Sequence, residues 1–119
     1  MYTIPLKLPS LNEFIKACNS NKYRGNKLKR ETQDQIMWFL KRMPKYNCKM
    51  IIHLTWHEAN YKRDKDNVCF AKKFILDALQ ELGKIPNDNN KYIEGFRDNF
   101  IYDGKYAVDL EIEEVKNVR

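Results

Sequence analysis

Two aspartates one residue apart, Asp64 and Asp66, stand among cations in the segment KRDKD at residues 62–66. In extended chain, side chains at positions i and i+2 project from the same side. Two carboxylates held that close repel each other unless a cation lies between them. Mg²⁺ prefers such oxygen ligands, and a bound metal can polarise a phosphate and activate a water. The spacing is therefore compatible with a metal-dependent hydrolytic site.

The same aspartates have an ordinary explanation. Asp66 precedes a helical pattern, where an N-capping carboxylate stabilises a helix by about 1 kcal/mol. Lys62 and Arg63 could belong to a solvated loop or pair with the aspartates. A convincing site needs a third acid, and Asp88 in the segment following the helix is the candidate. Asp88 reaches the start of that helix if the chain returns along the sheet; otherwise it is a plain turn residue.

The elements that must position these residues follow from hydrophobic periodicity, which predicts the order β-α-α-β-α-β-β. Ser10 followed by Glu13 marks the start of the first helix. The basic segment 21–31 predicts a loop or a broken helix, and Asp103–Gly104 predicts a hairpin turn. The predicted strands cover residues 2–8, 48–59, 91–101 and 106–115, and the predicted helices cover residues 12–20, 31–43 and 67–82. We expect one α+β domain over residues 1–119, a mixed β-sheet with helices packed on it.

Composition narrows the classes of partner. The chain has 22 lysines and arginines against 16 acids, a net charge of +6, which suits a polyanion such as nucleic acid. Cys18, Cys48 and Cys69 are widely spaced, which predicts free thiols in a reducing compartment. His53 and His57 lie in a predicted strand without a nearby cysteine, which argues against structural zinc. We expect no signal peptide and no membrane span, hence a cytoplasmic protein.

The motifs RDKDN at 63–67, LDALQELG at 76–83 and IPNDN at 85–89 together resemble the RusA family of Holliday-junction resolvases. That family shows an R-D-x-D-N motif, a helix containing D-A-L and a further aspartate past the helix. The resemblance implies a RusA-like fold and a homodimeric endonuclease that resolves four-way DNA junctions by paired nicks in recombination and repair. It also implies Mg²⁺ or Mn²⁺, no organic cofactor, and a bacterial, phage or prophage source.

Carried over by position, Asp64, Asp66 and Asp88 become the catalytic carboxylates that hold the metal. The family often has a lysine four residues after the second aspartate, where this chain has Phe70. Counting back from the D-A-L motif instead favours Lys73, which would stabilise the negative charge that develops on the phosphate.

Helical geometry gives a separate reason for this choice, with Lys72 as the alternative. On a continuous helix Lys73 lies about 20° around the axis from Asp66, whereas Lys72 lies about 120° away. The ordinary explanation of Lys73 is a surface ion pair with Asp77 at i,i+4.

The basic segment provides candidate contacts with the DNA backbone, and Tyr23 within it could stack on an unpaired base. A solvated basic loop is the alternative. The predicted DNA-binding residues are Lys22, Arg24, Lys27, Lys29, Arg30, Lys62 and Arg63. Two other functions fit the same fold: a DNA-binding module without catalysis, and a nuclease for other branched DNA.

Overall fold

The computed structural model describes residues 1–116, which form a four-stranded sheet and four helical segments. In chain order these are β1 (Tyr2–Ile4), α1 (Leu11–Ser20), α2 (Lys22–Leu40), β2 (Met50–Glu58), α3 (Lys65–Cys69), α4 (Lys72–Glu81), β3 (Ile93–Tyr102) and β4 (Ala107–Glu114). The predicted α+β class with a mixed sheet is confirmed. None of the helices within residues 1–116 combines the length and the hydrophobicity that a membrane span requires.

The strand order is β1-β4-β2-β3, with β2 parallel to β3 and antiparallel to β4. The chain does turn at Gly104, whose φ of +80° suits glycine. The predicted hairpin is nevertheless wrong, because β3 and β4 lie on opposite sides of β2 instead of pairing with each other. Residues 103–106 therefore cross the C-terminal end of β2. The first strand ends at Ile4, earlier than expected, because Pro5 has no N–H for the ladder.

One face of the sheet carries the core. The alternating residues Met50, Ile52, Leu54 and Trp56 of β2 are all buried, as their spacing predicts. Helices α2 and α4 pack together over this face. Their buried apolar side chains are Ile36 and Leu40 of α2 and Phe74, Ile75, Leu76, Ala78 and Leu79 of α4. The opposite face of β2 presents polar side chains such as His53 and Thr55, so the sheet has one apolar and one polar side.

The basic segment is helical, so the expectation of a loop there is wrong. A break does occur between the first two helices, but it lies at Asn21, before the basic residues. Asn21 caps α2, because its side-chain oxygen accepts a hydrogen bond from the Arg24 N–H at 2.8 Å. Gly25 does not interrupt α2. A Cβ added there would lie 2.5 Å from Cys18 Sγ, so glycine permits close packing of α1 on α2.

The single helix expected over residues 67–82 is divided in two, with a step at residues 70–71. The step accompanies an aromatic cluster of Phe14, Phe70 and Phe74, whose ring centroids are 5.6 Å apart. Val68 and Ala71 remain buried beside α4, so the apolar stripe is confirmed although the helix is broken.

Candidate active site

Asp64 and Asp66 lie where the chain enters α3. Asp64 is extended, with φ −70° and ψ 153°, and occupies the N-cap position without a side-chain cap hydrogen bond. The prediction that Asp66 is the N-cap is wrong, because Asp66 lies in the first turn of α3. Both residues are exposed. Within residues 1–116, neither carboxylate has a salt-bridge partner, which leaves both available to a ligand.

Arg63 fixes the chain immediately before these aspartates. Its guanidinium makes two hydrogen bonds to the buried carboxylate of Glu58, of 2.8 and 2.7 Å. It also donates to the Leu8 carbonyl at 2.8 Å and lies 3.3 Å from Glu13. The hydrogen bonds to Glu58 raise the pKa of Arg63 in spite of burial. This arginine is expected to contact DNA, but its donors point into the protein, so the structure gives it an anchoring role.

Lys73 lies in the first turn of α4 with two carboxylates near its ammonium group. Its Nζ is 3.2 Å from Asp77 Oδ1 and 3.7 Å from Asp88 Oδ2. The first contact is the ordinary i,i+4 ion pair. The second shows that the segment after α4 brings Asp88 back to the start of that helix. Hydrogen bonding to Asp77, opposed by partial burial, raises the pKa of Lys73.

The helix-wheel argument for Lys73 does not apply, because the break between α3 and α4 removes the continuous helix on which it rested. Lys72, the alternative lysine, points elsewhere. Its Nζ is 2.7 Å from Asp98 Oδ2, and the Trp56 indole N–H donates to the other oxygen of Asp98 at 2.9 Å. The two lysines therefore have separate carboxylate partners, and Lys73 is the one beside Asp88.

Sequence reasoning missed Asp98, although its pattern carries a signal. In β3, Phe96, Asp98 and Phe100 alternate onto one face. A carboxylate between two aromatic positions requires a cationic or hydrogen-bonding partner if that face is covered. Lys72 and Trp56 supply these partners. Glu58 was missed for a different reason, because as the last residue of a strand it gives no sign of burial.

The three predicted metal ligands are not assembled into one cluster. Within residues 1–116, no group of three or more His, Cys, Asp or Glu side chains is arranged to hold a metal ion. Asp64 and Asp66 lie at the N-terminal end of α3, whereas Asp88 lies beside Lys73 of α4. The donor chemistry nevertheless fits Mg²⁺ or Mn²⁺, because two of the three carboxylates are exposed and unengaged within the described chain.

Several predicted DNA-binding cations already have carboxylate neighbours. Arg30 donates to Asp34 and, at 3.0 and 3.1 Å, to both oxygens of Glu81 on α4. Hydrogen bonding to Asp34 is the main cause of the raised pKa of Arg30. Lys29 Nζ lies 3.7 Å from Asp77 Oδ2. These two residues thus link α2 to α4.

The other cations are more available. Lys27 forms an exposed i,i+4 ion pair with Glu31 at 3.9 Å. Solvent-exposed ion pairs of this kind stabilise a helix by roughly a few tenths of a kcal/mol. Lys22 and Arg24, in the first turn of α2, and Lys62, before α3, are exposed. Among the described residues these three side chains form no salt bridge. They are the candidate cations best placed to contact a phosphate.

Comparison with models of known protein families and with curated proteins found no match to this chain.

Proposed function

We propose that this protein is a RusA-like, metal-dependent endodeoxyribonuclease that resolves four-way DNA junctions by paired nicks and acts as a homodimer. One observation carries the proposal. The Lys73 ammonium lies 3.7 Å from Asp88, so the lysine and the third aspartate of the motif order meet although Phe70 occupies the usual lysine position. This contact is the support for treating the motifs as parts of one site.

Asp64, Asp66 and Asp88 would hold Mg²⁺ or Mn²⁺. A bound divalent ion supplies Lewis-acid polarisation of a phosphate oxygen and lowers the pKa of a bound water. Arg63 supports this site, because its hydrogen bonds to Glu58 fix the strand-to-helix turn in which Asp64 lies. Cleavage therefore depends on a rigid turn as well as on the carboxylates themselves.

Lys73 contributes positive charge to the same site. A lysine ammonium group is protonated at neutral pH, and the hydrogen bond to Asp77 raises the pKa of Lys73 further; its flexible stem lets the charge follow a phosphate oxygen. Asp77 orients this side chain through the 3.2 Å contact and is itself tied to Gln33 of α2 at 3.3 Å. The ammonium can then stabilise the charge that develops on the phosphate during attack by water.

Cleavage of a synthetic four-way junction, compared with a flap and a linear duplex in Mg²⁺ or EDTA, tests the proposal. We expect paired nicks in the junction that require the metal. Asp66→Asn should abolish nicking and leave junction binding largely intact, because it removes one metal-binding charge from an exposed position. Glu111→Gln, which also removes one exposed negative charge but lies on β4, is the matched control and should nick normally.

Other outcomes separate the remaining functions. Normal nicking by Asp66→Asn would refute the metal-site assignment. Junction binding without nicking in either metal would identify a DNA-binding module. Faster cutting of the flap than of the junction would identify a nuclease for other branched DNA.

A further inference from the structure

A stacked pair of aromatic rings, one exposed and one half-buried, involves the segment that leads into the two aspartates. Tyr61, three residues before Asp64 in the sequence, stacks on Tyr102 at the end of β3, with ring centroids 4.2 Å apart and an interplanar angle of 25°. Tyr61 is 78% exposed, so its outer ring face is open to solvent. We call Tyr61 and Tyr102 the aromatic platform.

The platform is held in place from both sides. The Lys62 N–H donates to Asn60 Oδ1 at 2.9 Å, which closes a turn around Tyr61. Arg63 is fixed by its bonds to Glu58 and to the Leu8 carbonyl. Tyr102 belongs to a strand paired with β2. A ligand stacking on Tyr61 would therefore meet an ordered ring, which reduces the entropy lost on binding.

Two lysines adjoin the platform, Lys65 in space and Lys62 in the sequence. Lys65 Nζ lies 5.1 Å from the centroid of the Tyr102 ring and 5.6 Å from that of Phe100. Lys62 follows Tyr61 in the sequence and is exposed. A flat apolar face bordered by ammonium groups complements a ligand that is itself flat and carries negative charge beside the flat part. A nucleobase with its adjoining phosphate has this combination, and every base offers a π-face to stack.

We propose that the aromatic platform binds one unpaired nucleobase of a DNA strand, stacked on Tyr61, with Lys62 and Lys65 facing the adjoining phosphate. The inference rests on the proposed function, because it takes the anionic ligand to be DNA. It adds a feature of the substrate: a base out of its pair, next to the backbone position that faces Asp64 and Asp66. Binding of an opened branch point would then place the neighbouring phosphate at the carboxylates before cleavage.

Binding in EDTA tests the platform without any need for catalysis. The probes are a short oligo(dT) and an abasic deoxyribose-phosphate oligomer of the same length, which carries the same charge but no bases. Tyr61→Ala should weaken oligo(dT) binding about 5- to 150-fold, the range for one base–aromatic stack, and should leave the affinity for the abasic oligomer unchanged. Tyr61→Phe keeps the ring and should bind oligo(dT) as the wild type does.

Trp38→Ala is the matched control. Trp38 is also an exposed aromatic residue with a lysine at its face, Lys41 Nζ being 3.5 Å from the ring centroid, but it lies on α2. An equal loss of oligo(dT) affinity in Trp38→Ala and Tyr61→Ala would overturn the platform. So would equal effects of Tyr61→Ala on the two oligomers, or no binding of oligo(dT) by the wild type.

The two proposals fail differently. A wild-type protein that shows the Tyr61-dependent preference for bases but nicks no junction in Mg²⁺ or Mn²⁺ retains the platform and loses the nuclease. A protein that nicks junctions while Tyr61→Ala binds oligo(dT) normally retains the nuclease and loses the platform.

Discussion

Lys72 and Lys73 are neighbours in the sequence, yet they differ in their carboxylate partners and in their exposure to solvent. Lys72 is mostly buried in its pair with Asp98, whereas the Lys73 side chain is 57% exposed and lies between Asp77 and Asp88. An exposed ion pair contributes at most about 1 kcal/mol to stability. Removing the cation from a buried carboxylate lowers stability by more, because the cost of burying the carboxylate is then no longer offset by the ion pair. Lys72 therefore contributes more to the stability of the fold than Lys73, whose exposed ammonium group remains accessible to a ligand.

Substituting each lysine by methionine separates the two roles. Lys73→Met should lower the nicking rate about 10²- to 10³-fold, as expected for losing one group that stabilises transition-state charge, with little change in thermal stability. Lys72→Met should lower the free energy of unfolding by about 1–3 kcal/mol and should keep most activity per folded molecule. Single-turnover cleavage rates and urea denaturation of both variants provide the comparison. The reverse pattern would move the catalytic assignment to Lys72.

The turn between β2 and α3 depends on one arginine that joins three parts of the chain. Arg63 binds Glu58 at the end of β2 and the Leu8 carbonyl before α1, and its neighbour Asp64 is the N-cap residue of α3. Both side chains of the Arg63–Glu58 pair are largely removed from water, with 14% and 4% exposed. Removing one partner of such a pair leaves a buried charge without compensation.

Arg63→Met should therefore cost about 3–5 kcal/mol of unfolding free energy, measured by urea denaturation. The double variant Glu58→Met/Arg63→Met should lose less than the single variant, because no unpaired charge stays buried. Arg63→Lys keeps the charge but loses the two-pronged geometry, so it should fall between the wild type and Arg63→Met. Additive losses in the double variant would show that the pair is not coupled.

The same turn shows what sequence could and could not provide. Periodicity located β2 and the buried stripe through Val68 and Ile75, because burial follows local spacing. The acidic motif was found for the same reason, since Asp64 and Asp66 are near each other in sequence. The partner of Arg63 was not found, because Glu58 and the Leu8 carbonyl meet it only through the fold. Turn chemistry at Gly104 likewise predicted a reversal but could not show that β2 lies between the strands it joins.

At the scale of the whole molecule, one histidine on the polar face of the sheet connects several strands through hydrogen bonds. His57 of β2 has one ring nitrogen 2.7 Å from Asp103, in the link that crosses β2, and the other 2.7 Å from Asp109 of β4. Asp109 also accepts a hydrogen bond of 2.7 Å from Thr3 of β1. Burial opposes charge on His57, but the hydrogen bonds to Asp109 and Asp103 outweigh it and raise the pKa of the imidazole. The His57 ring thus connects three strands and the crossing link.

Stability should therefore depend on pH in a way that His57 explains. A raised folded-state pKa means that the histidine contribution is complete below its unfolded value of about 6.5 and is lost as pH rises through the folded value. His57 also lowers the pKa values of Asp103 and Asp109 against the opposing effect of burial, so their contribution is lost as pH falls below about 4. The cluster should stabilise the fold most between about pH 4 and 6.5.

Urea denaturation from pH 4 to 9 should show that the free energy of unfolding declines at alkaline pH, and His57→Gln should remove this decline. His53→Gln, which alters the other histidine and its 2.7 Å contact with Glu113, should keep that decline. An unchanged alkaline decline in His57→Gln would mean that the crossing link is held independently of the histidine charge.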